Sequence, residues 1–153
     1  MASVPPLAIR DATEADLPAI LAMLADDMLG AGRETGTVDP AYLAAFRAIQ
    51  AEPNCRKLVA VLDGRIVGCF QLNLLPGLGR RGSWRAQIES VRVVQDRRNA
   101  GIGAAMMGWA IAEARRRGCG LVQLTTDKRR GDAHRFYRRL GFEATHEGMK
   151  LIL

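Results

Sequence analysis

The chain has 153 residues, 48% apolar and 25% charged, a soluble balance in which one domain over residues 1–153 can bury its own core. No run approaches the roughly 18 apolar residues that span a bilayer, and Met1–Leu7 lacks a basic segment followed by an apolar one, so neither a membrane protein nor a secretory leader is expected and a cytoplasmic location is the default. Three dispersed cysteines, two histidines and a net charge of +6 weigh against a disulfide scaffold and a zinc site, and point to an anionic partner: nucleic acid or a phosphorylated cofactor.

Leu7–Arg10 predicts a first strand. Thr13 precedes Glu14 and Asp16 as a capping candidate, and Leu17, Ile20, Leu21 and Leu24 recur at helical spacing. Residues 27–38 carry three glycines and read as a mobile loop. Asp39-Pro40 opens a second helix that Pro53-Asn54 ends. The apolar run Leu58–Leu62, the dipeptide Asp63-Gly64 and the stretch Arg65–Leu75 predict a β-hairpin. A basic loop at 79–82 leads to a strand over Ala86–Val94. Gly101–Arg117 predicts a helix apolar around much of its circumference, hence largely buried, with Gly118 just past its end. Leu121–Thr126 predicts a strand. Asp132 is a cap for a short helix over Ala133–Leu140, and Phe142–Ala144 and Met149–Leu153 are expected to close the sheet. Strands that give way to alternating helices and strands make an α/β or α+β domain.

The segment from Val91 to Ala104 is the most informative. A strand runs into a basic turn that opens a helix: Arg97-Arg98-Asn99-Ala100-Gly101-Ile102-Gly103-Ala104. The first amides of a helix lack internal partners and sit at the positive end of its dipole. Glycines there admit phosphate oxygens to the backbone, and the arginines add charge. The chain lacks the Gly-Lys-Ser/Thr of a P-loop, and Met106 stands where a dinucleotide fingerprint needs a third glycine.

Arg98-x-x-Gly101-x-Gly103 after a strand, followed about thirty residues later by Ala133-His-Arg-Phe136-Tyr137-Arg-Arg-Leu140-Gly141-Phe142, resembles the two motifs of the GNAT superfamily of N-acetyltransferases. The start Ile9-Arg-x-Ala-Thr13-x-x-Asp16-Leu17 is similar to a common family opening. Arg130 stands where many members carry an asparagine.

The resemblance implies a mixed, mostly antiparallel twisted sheet of about seven strands with flanking helices and a splayed parallel strand pair. It implies acetyl-CoA as co-substrate and no metal. Pantetheine would pair with the backbone of Val91, Arg92 and Val93, and the pyrophosphate would rest on amides between Asn99 and Ala104. Arg130 and Phe136 would lie on the cofactor side, with Lys128 or Arg129 available to the adenosine phosphate.

The reaction implied is direct attack of an amine on the thioester through a tetrahedral intermediate. A backbone N–H at Val91 or a neighbour would donate to the oxyanion. Tyr137 holds the position of the acid toward the leaving thiolate. Glu89 is a candidate base: strand alternation sets it on one face with Val91 and Val93, in otherwise apolar surroundings that would strengthen it. Trp84, Asp26, Asp27 and Glu34 are candidates to shape an acceptor pocket, with residues 30–36 as a lid. The acceptor would be a small-molecule or peptide amine, and a homodimer is the family-like state. The alternatives are an acyl-CoA-binding module without transfer activity and, on charge alone, a nucleic-acid-binding protein; scarce aromatics and the absence of a repeated basic helix weigh against the latter.

Overall fold

The computed structural model describes residues 6–27 and 29–153. It divides into two compact units, Met1–Gln123 and Leu124–Leu153. Most of the Met1–Leu7 segment read for a leader lies outside the described residues. Among the described residues, no helix is long and apolar enough to cross a membrane.

In the first unit, strand β1 (Ala8–Asp11) leads through a short 3-10 turn into helix α1 (Leu17–Ala25). The Thr13 amide donates to Asp16 Oδ2 at 2.8 Å, which fixes the turn as the sequence predicts. Helix α2 (Pro40–Ala51) starts at Asp39, whose carboxylate accepts the amides of Ala41 and Tyr42 at 2.9 and 3.2 Å. The connecting loop is tied to α2. The Tyr42 hydroxyl donates to Glu34 at 2.6 Å and accepts the Thr35 amide at 3.2 Å.

Strands β2 (Cys55–Leu62) and β3 (Arg65–Leu75) form the expected hairpin, with Asp63 and Gly64 both at positive φ (51° and 73°), as a two-residue turn of this hand requires. A four-residue turn, α3 (Gly79–Gly82), precedes β4 (Trp84–Val93). Helix α4 (Ile102–Arg116) then crosses to β5 (Cys119–Leu124).

The strand order is β1-β2-β3-β4-β5, and the pairs from β1 to β4 are antiparallel. Strands β4 and β5 run in the same direction. Gly120 sits against Ser83, and Gln123 Nε2 donates to Gln87 Oε1 at 2.6 Å, so the register advances together along both strands.

Helices α1 and α2 cover one face of the sheet. Leu17, Ile20, Met23 and Phe46 pack there on Val59 and Cys69. Helix α4 covers the other face, where Leu58, Phe70, Leu72, Ile88, Met106 and Met107 are all buried. Phe70 meets Trp109 edge-on at 6.1 Å. Contrary to the sequence reading, α4 is not largely buried. Ile102, Met106, Met107, Ala110 and Ala114 form one buried stripe, while Ala104, Ala105, Gly108 and Ala112 are exposed. Small residues raise the helix's average apolarity without demanding burial.

The second unit contains helix α5 (Gly131–Arg139), which ends at Gly141 with φ of 96°. Its N-cap is Arg130, not Asp132, which lies in the first turn. Among the described residues the sheet has five strands, not about seven: residues 142–144 and 149–153 form no strand. Met149, Leu151, Ile152 and Leu153 are exposed, so the apolar pattern at this end is not met by a covering layer among the described residues.

Candidate active site

Strand β4 carries an irregularity that sets the site. Cys69 pairs with Arg92 and Gln71 with Glu89, so Ser90 and Val91 together oppose Phe70. Ser90 takes a φ of +54°, a left-handed conformation uncommon outside glycine, and absorbs the extra residue as a β-bulge. The bulge overturns the expected alternation. Directly paired residues share a face, so Glu89 lies with Arg92, Gln71 and Lys57, and not with Val91 and Val93. Glu89 is exposed, not enclosed by apolar neighbours.

The polar side chains on this face form a row under α1 and α2. Cys55 Sγ donates to Asn73 Oδ1 at 2.8 Å, and Gln71 Nε2 donates to Asn73 Oδ1 at 3.1 Å and to Cys55 Sγ at 3.2 Å. Burial pushes the Cys55 thiol up from its ordinary value. A depression of about 140 Å³ opens over the row, walled by Leu17, Leu24 and Tyr42 and floored by Lys57, Gln71 and Ser90. Beside it, Arg92 donates to the Val91 carbonyl at 2.9 Å and stands 3.5 Å from the buried carboxylate of Asp27. Asp27 also accepts the Gly30 amide at 3.1 Å, anchoring the start of the loop read as a lid. Trp84 is not part of this group. It lies six residues before the bulge, about 20 Å along the strand.

Beyond the bulge, the Val94 amide donates to the Val67 carbonyl at 2.9 Å. Amide directions alternate along a strand, so the N–H of Val93 points away from β3, toward the edge that β5 flanks only as far as its end at Leu124. The outward N–H of Val93 thus faces the side of β4 on which β5 ends at Leu124.

The turn over 95–101 bends through Asn99 and Gly101 at φ of 64° and 82°. The first helical bond of α4 runs from the Ala105 amide to the Gly101 carbonyl at 3.1 Å, which leaves the amides of Ile102, Gly103 and Ala104 without intrahelical acceptors. Nothing lies within 4 Å of the place a Gly101 side chain would occupy. The turn can therefore admit a diphosphate against its backbone. Arg97 and Ala100 are exposed on it. Arg98 is directed partly elsewhere: its Nε donates to the Val93 carbonyl at 3.3 Å, and its guanidinium stands 3.7 Å from Asp26.

In the second unit, Tyr137 is half-buried between Phe136 and Phe142, with ring centroids at 5.1 and 5.8 Å, both edge-on. The Arg130 amide donates to the Asp127 carbonyl at 2.9 Å, and the Arg130 carbonyl accepts the His134 amide at 3.1 Å. Arg129 grips the Asp127 carboxylate at 2.8 and 2.9 Å and holds it well below the usual range. Lys128 stands 3.3 Å from Glu147. Both cations considered for the adenosine phosphate thus already face a carboxylate.

The sequence matches the acetyltransferase (GNAT) family over residues 18–142. The chain belongs to the GNAT family. An aminoalkylphosphonate N-acetyltransferase from Salmonella typhimurium is 34% identical over 106 residues, covering 69% of this chain and 68% of that enzyme. A glucosamine 6-phosphate N-acetyltransferase from Trypanosoma brucei brucei is 36% identical over 90 residues, 59% of each chain. A crystal structure described as a transcriptional regulator from Bacillus halodurans superposes with a TM-score of 0.94 at 47% identity, covering 97% of this chain and all of that one. The GNAT chain is accordingly an acyltransferase of a family that uses acetyl-CoA as co-substrate.

Of the residues expected at this GNAT site, Glu89, Val91, Arg92 and Val93 lie on or beside the bulge, and Arg98 to Ala104 form the turn that follows. Arg130, Phe136 and Tyr137 lie in the second unit. Sequence reasoning missed Lys57 and Gln71. Their signal is alternation: Lys57, Val59 and Val61 share a period of two, which a run begun at Leu58 conceals.

Proposed function

We propose that this acyltransferase, one catalytic domain over residues 1–153, moves an acetyl group from acetyl-CoA to the amine of a small acceptor by direct attack. The observation that carries the reading is a bulged strand feeding a turn with three uncommitted helix-start amides. When bound, acetyl-CoA supplies a thioester-activated acetyl group. The amides of Ile102 to Ala104 hold the diphosphate, with Arg97 and Arg98 adding charge and Asn99, Ala100 and Gly101 shaping the bend. The outward amides of Val91 and Val93 hold the pantetheine arm and donate to the acyl oxygen as its charge grows. Glu89 takes a proton from the amine, directly or through one water. Tyr137 gives a proton to the departing sulfur, a task suited to a phenol. Phe136 and Arg130 flank the cofactor.

Two of the enzymes matched by sequence are named for an aminoalkylphosphonate and a hexosamine phosphate. Both substrates join an amine to a phosphorus oxyanion, so amines of that kind are the first acceptors to screen.

The test is thiol release on wild type and Tyr137→Phe at saturating substrates. Turnover in the variant is expected to fall more than about tenfold with little change in the KM for acetyl-CoA. Equal turnover would remove Tyr137 from the reaction, and no thiol release by wild type with any amine would end the reading.

A further inference from the structure

The strand row that carries Glu89 ends on a buried cation. Lys57, Gln71 and Glu89 stand directly opposite one another across β2, β3 and β4, so all three side chains leave the sheet on the face under α1 and α2. Two strand spacings, about 9.6 Å, separate the outer two backbones. Lys57 is only 9% exposed, yet it lines the depression of about 140 Å³ at the bulge and a second one of about 320 Å³.

Lysine is rarely buried without a paired anion, because losing its hydration is costly. Here no carboxylate serves. Among the described residues, the Lys57 ammonium has no hydrogen bond and no ion pair; the stem is buried while the ammonium keeps contact with solvent at the depression. Asp11, which lines the second depression, is already held by Arg56 at 2.8 and 2.9 Å. Glu52, on the same rim, accepts the Asn54 amide at 3.4 Å and is exposed. The walls above Lys57 are Phe46 and Ile49, against which an aliphatic residue would pack as well. A cation kept in such a hollow, in line with an exposed carboxylate two strands away, is arranged for a ligand carrying both charges in the opposite sense.

We infer that Lys57 binds the anionic group of the acceptor, which is a short amine bearing a phosphonate, phosphate or carboxylate, with its nitrogen toward Glu89. This rests on the acetyl-transfer reading and adds the acceptor's class and the residue that selects it. Lys57 is a specificity residue: it fixes the end of the acceptor remote from the reacting nitrogen.

The experiment compares wild type, Lys57→Met and Lys57→Arg in thiol release with aminoethylphosphonate, β-alanine and n-propylamine. Methionine keeps the length of the side chain and removes its charge. The KM for the two anionic amines is expected to rise at least about tenfold in Lys57→Met, with Lys57→Arg recovering part of the loss. The kcat, the KM for acetyl-CoA and the kinetics with propylamine are expected to stay within about twofold. The ratio between aminoethylphosphonate and β-alanine tells whether a phosphorus oxyanion or a carboxylate is preferred. Equal losses on amines with and without an anionic group, or no loss, overturn the proposal.

A readout independent of turnover protects the test from a variant that fails to fold. The chain's lysines are Lys57, Lys128 and Lys150. In wild-type protein, methylphosphonate is expected to shield Lys57, and neither of the others, from reductive methylation read by peptide mass. Absence of shielding overturns the proposal even if acetyl transfer proceeds. Shielding without transfer to any amine leaves the anion site standing and sinks the acetyl-transfer reading instead.

Discussion

The two faces of the sheet are built from the same strands on opposite terms. The face under α4 is filled by Leu58, Phe70, Leu72 and Ile88 against Met106 and Met107, all of them buried. The face under α1 and α2 alternates with it residue by residue but carries Cys55, Lys57, Gln71, Asn73, Glu89 and Arg92. One face therefore supplies rigidity through packing. The other accepts buried polar groups that stabilise little and are useful chiefly to something that binds there. The bulge at Ser90 is where the two regimes meet, because the residue it opposes, Phe70, belongs wholly to the packed face. Polar groups remain on a precise backbone here because the opposite face holds the strands straight.

The sharpest way to break this comparison is to damage the packed face. Phe70 is fully buried and touches Trp109 edge-on. Phe70→Ala is expected to lose about 3–5 kcal/mol of stability, which corresponds to a fall in melting temperature of roughly 10 °C. Calorimetry measures it. A loss below about 1 kcal/mol would mean that the α4 face is not the scaffold.

Glu89→Gln probes the other face and should behave in the opposite manner. Glu89 is exposed and among the described residues forms no ion pair, so its stability cost is expected to be under about 0.5 kcal/mol. Its effect belongs in the kinetics. If Glu89 takes the amine's proton, as proposed, the acidic limb of the pH–rate profile should flatten or move once an amide replaces it. An unchanged limb clears Glu89 of that duty and leaves a water relay. A large loss of stability with unchanged kinetics would reverse the roles of the two faces.

Much of this was legible in the sequence, for reasons that can be assigned. The hairpin was readable because Asp63-Gly64 is one of few dipeptides that tolerate two left-handed residues. The turn that opens α4 was readable because Gly101 and Gly103 announce it, and the family because two motifs stand in the right order. The bulge was not readable. Serine carries no signal for positive φ, and one inserted residue reverses every later facing, which is why Glu89 was grouped with the wrong neighbours. The buried lysine was missed because burial of a charge is a tertiary outcome. The two closing strands failed for the reverse reason: Phe142–Ala144 and Met149–Leu153 have strand composition, but composition does not supply a pairing partner.

The smallest effect tests how the polar face keeps its cover. Helix α1 is joined to β1 by charge as well as by packing: Arg10 donates to the two oxygens of Asp16 at 2.7 and 3.0 Å, just before the helix begins. The guanidinium, with help from the Thr13 amide, lowers the Asp16 carboxyl below its ordinary value despite burial acting in the other direction. A carboxylate lowered in the folded state adds stability above its unfolded pKa, about 3.9, and that stability is lost as pH falls through the folded value. Arg10 is 46% exposed, so solvent screens the pair and Arg10→Met is expected to cost only about 1 kcal/mol at pH 7. Once Asp16 is protonated the guanidinium has little left to hold, so the gap between urea unfolding curves of wild type and variant at pH 7 should close at an acid pH below the folded Asp16 value. A gap of the same size at both pH values would mean that the arginine acts through its aliphatic stem, and that packing alone seats α1 over the row from Lys57 to Glu89.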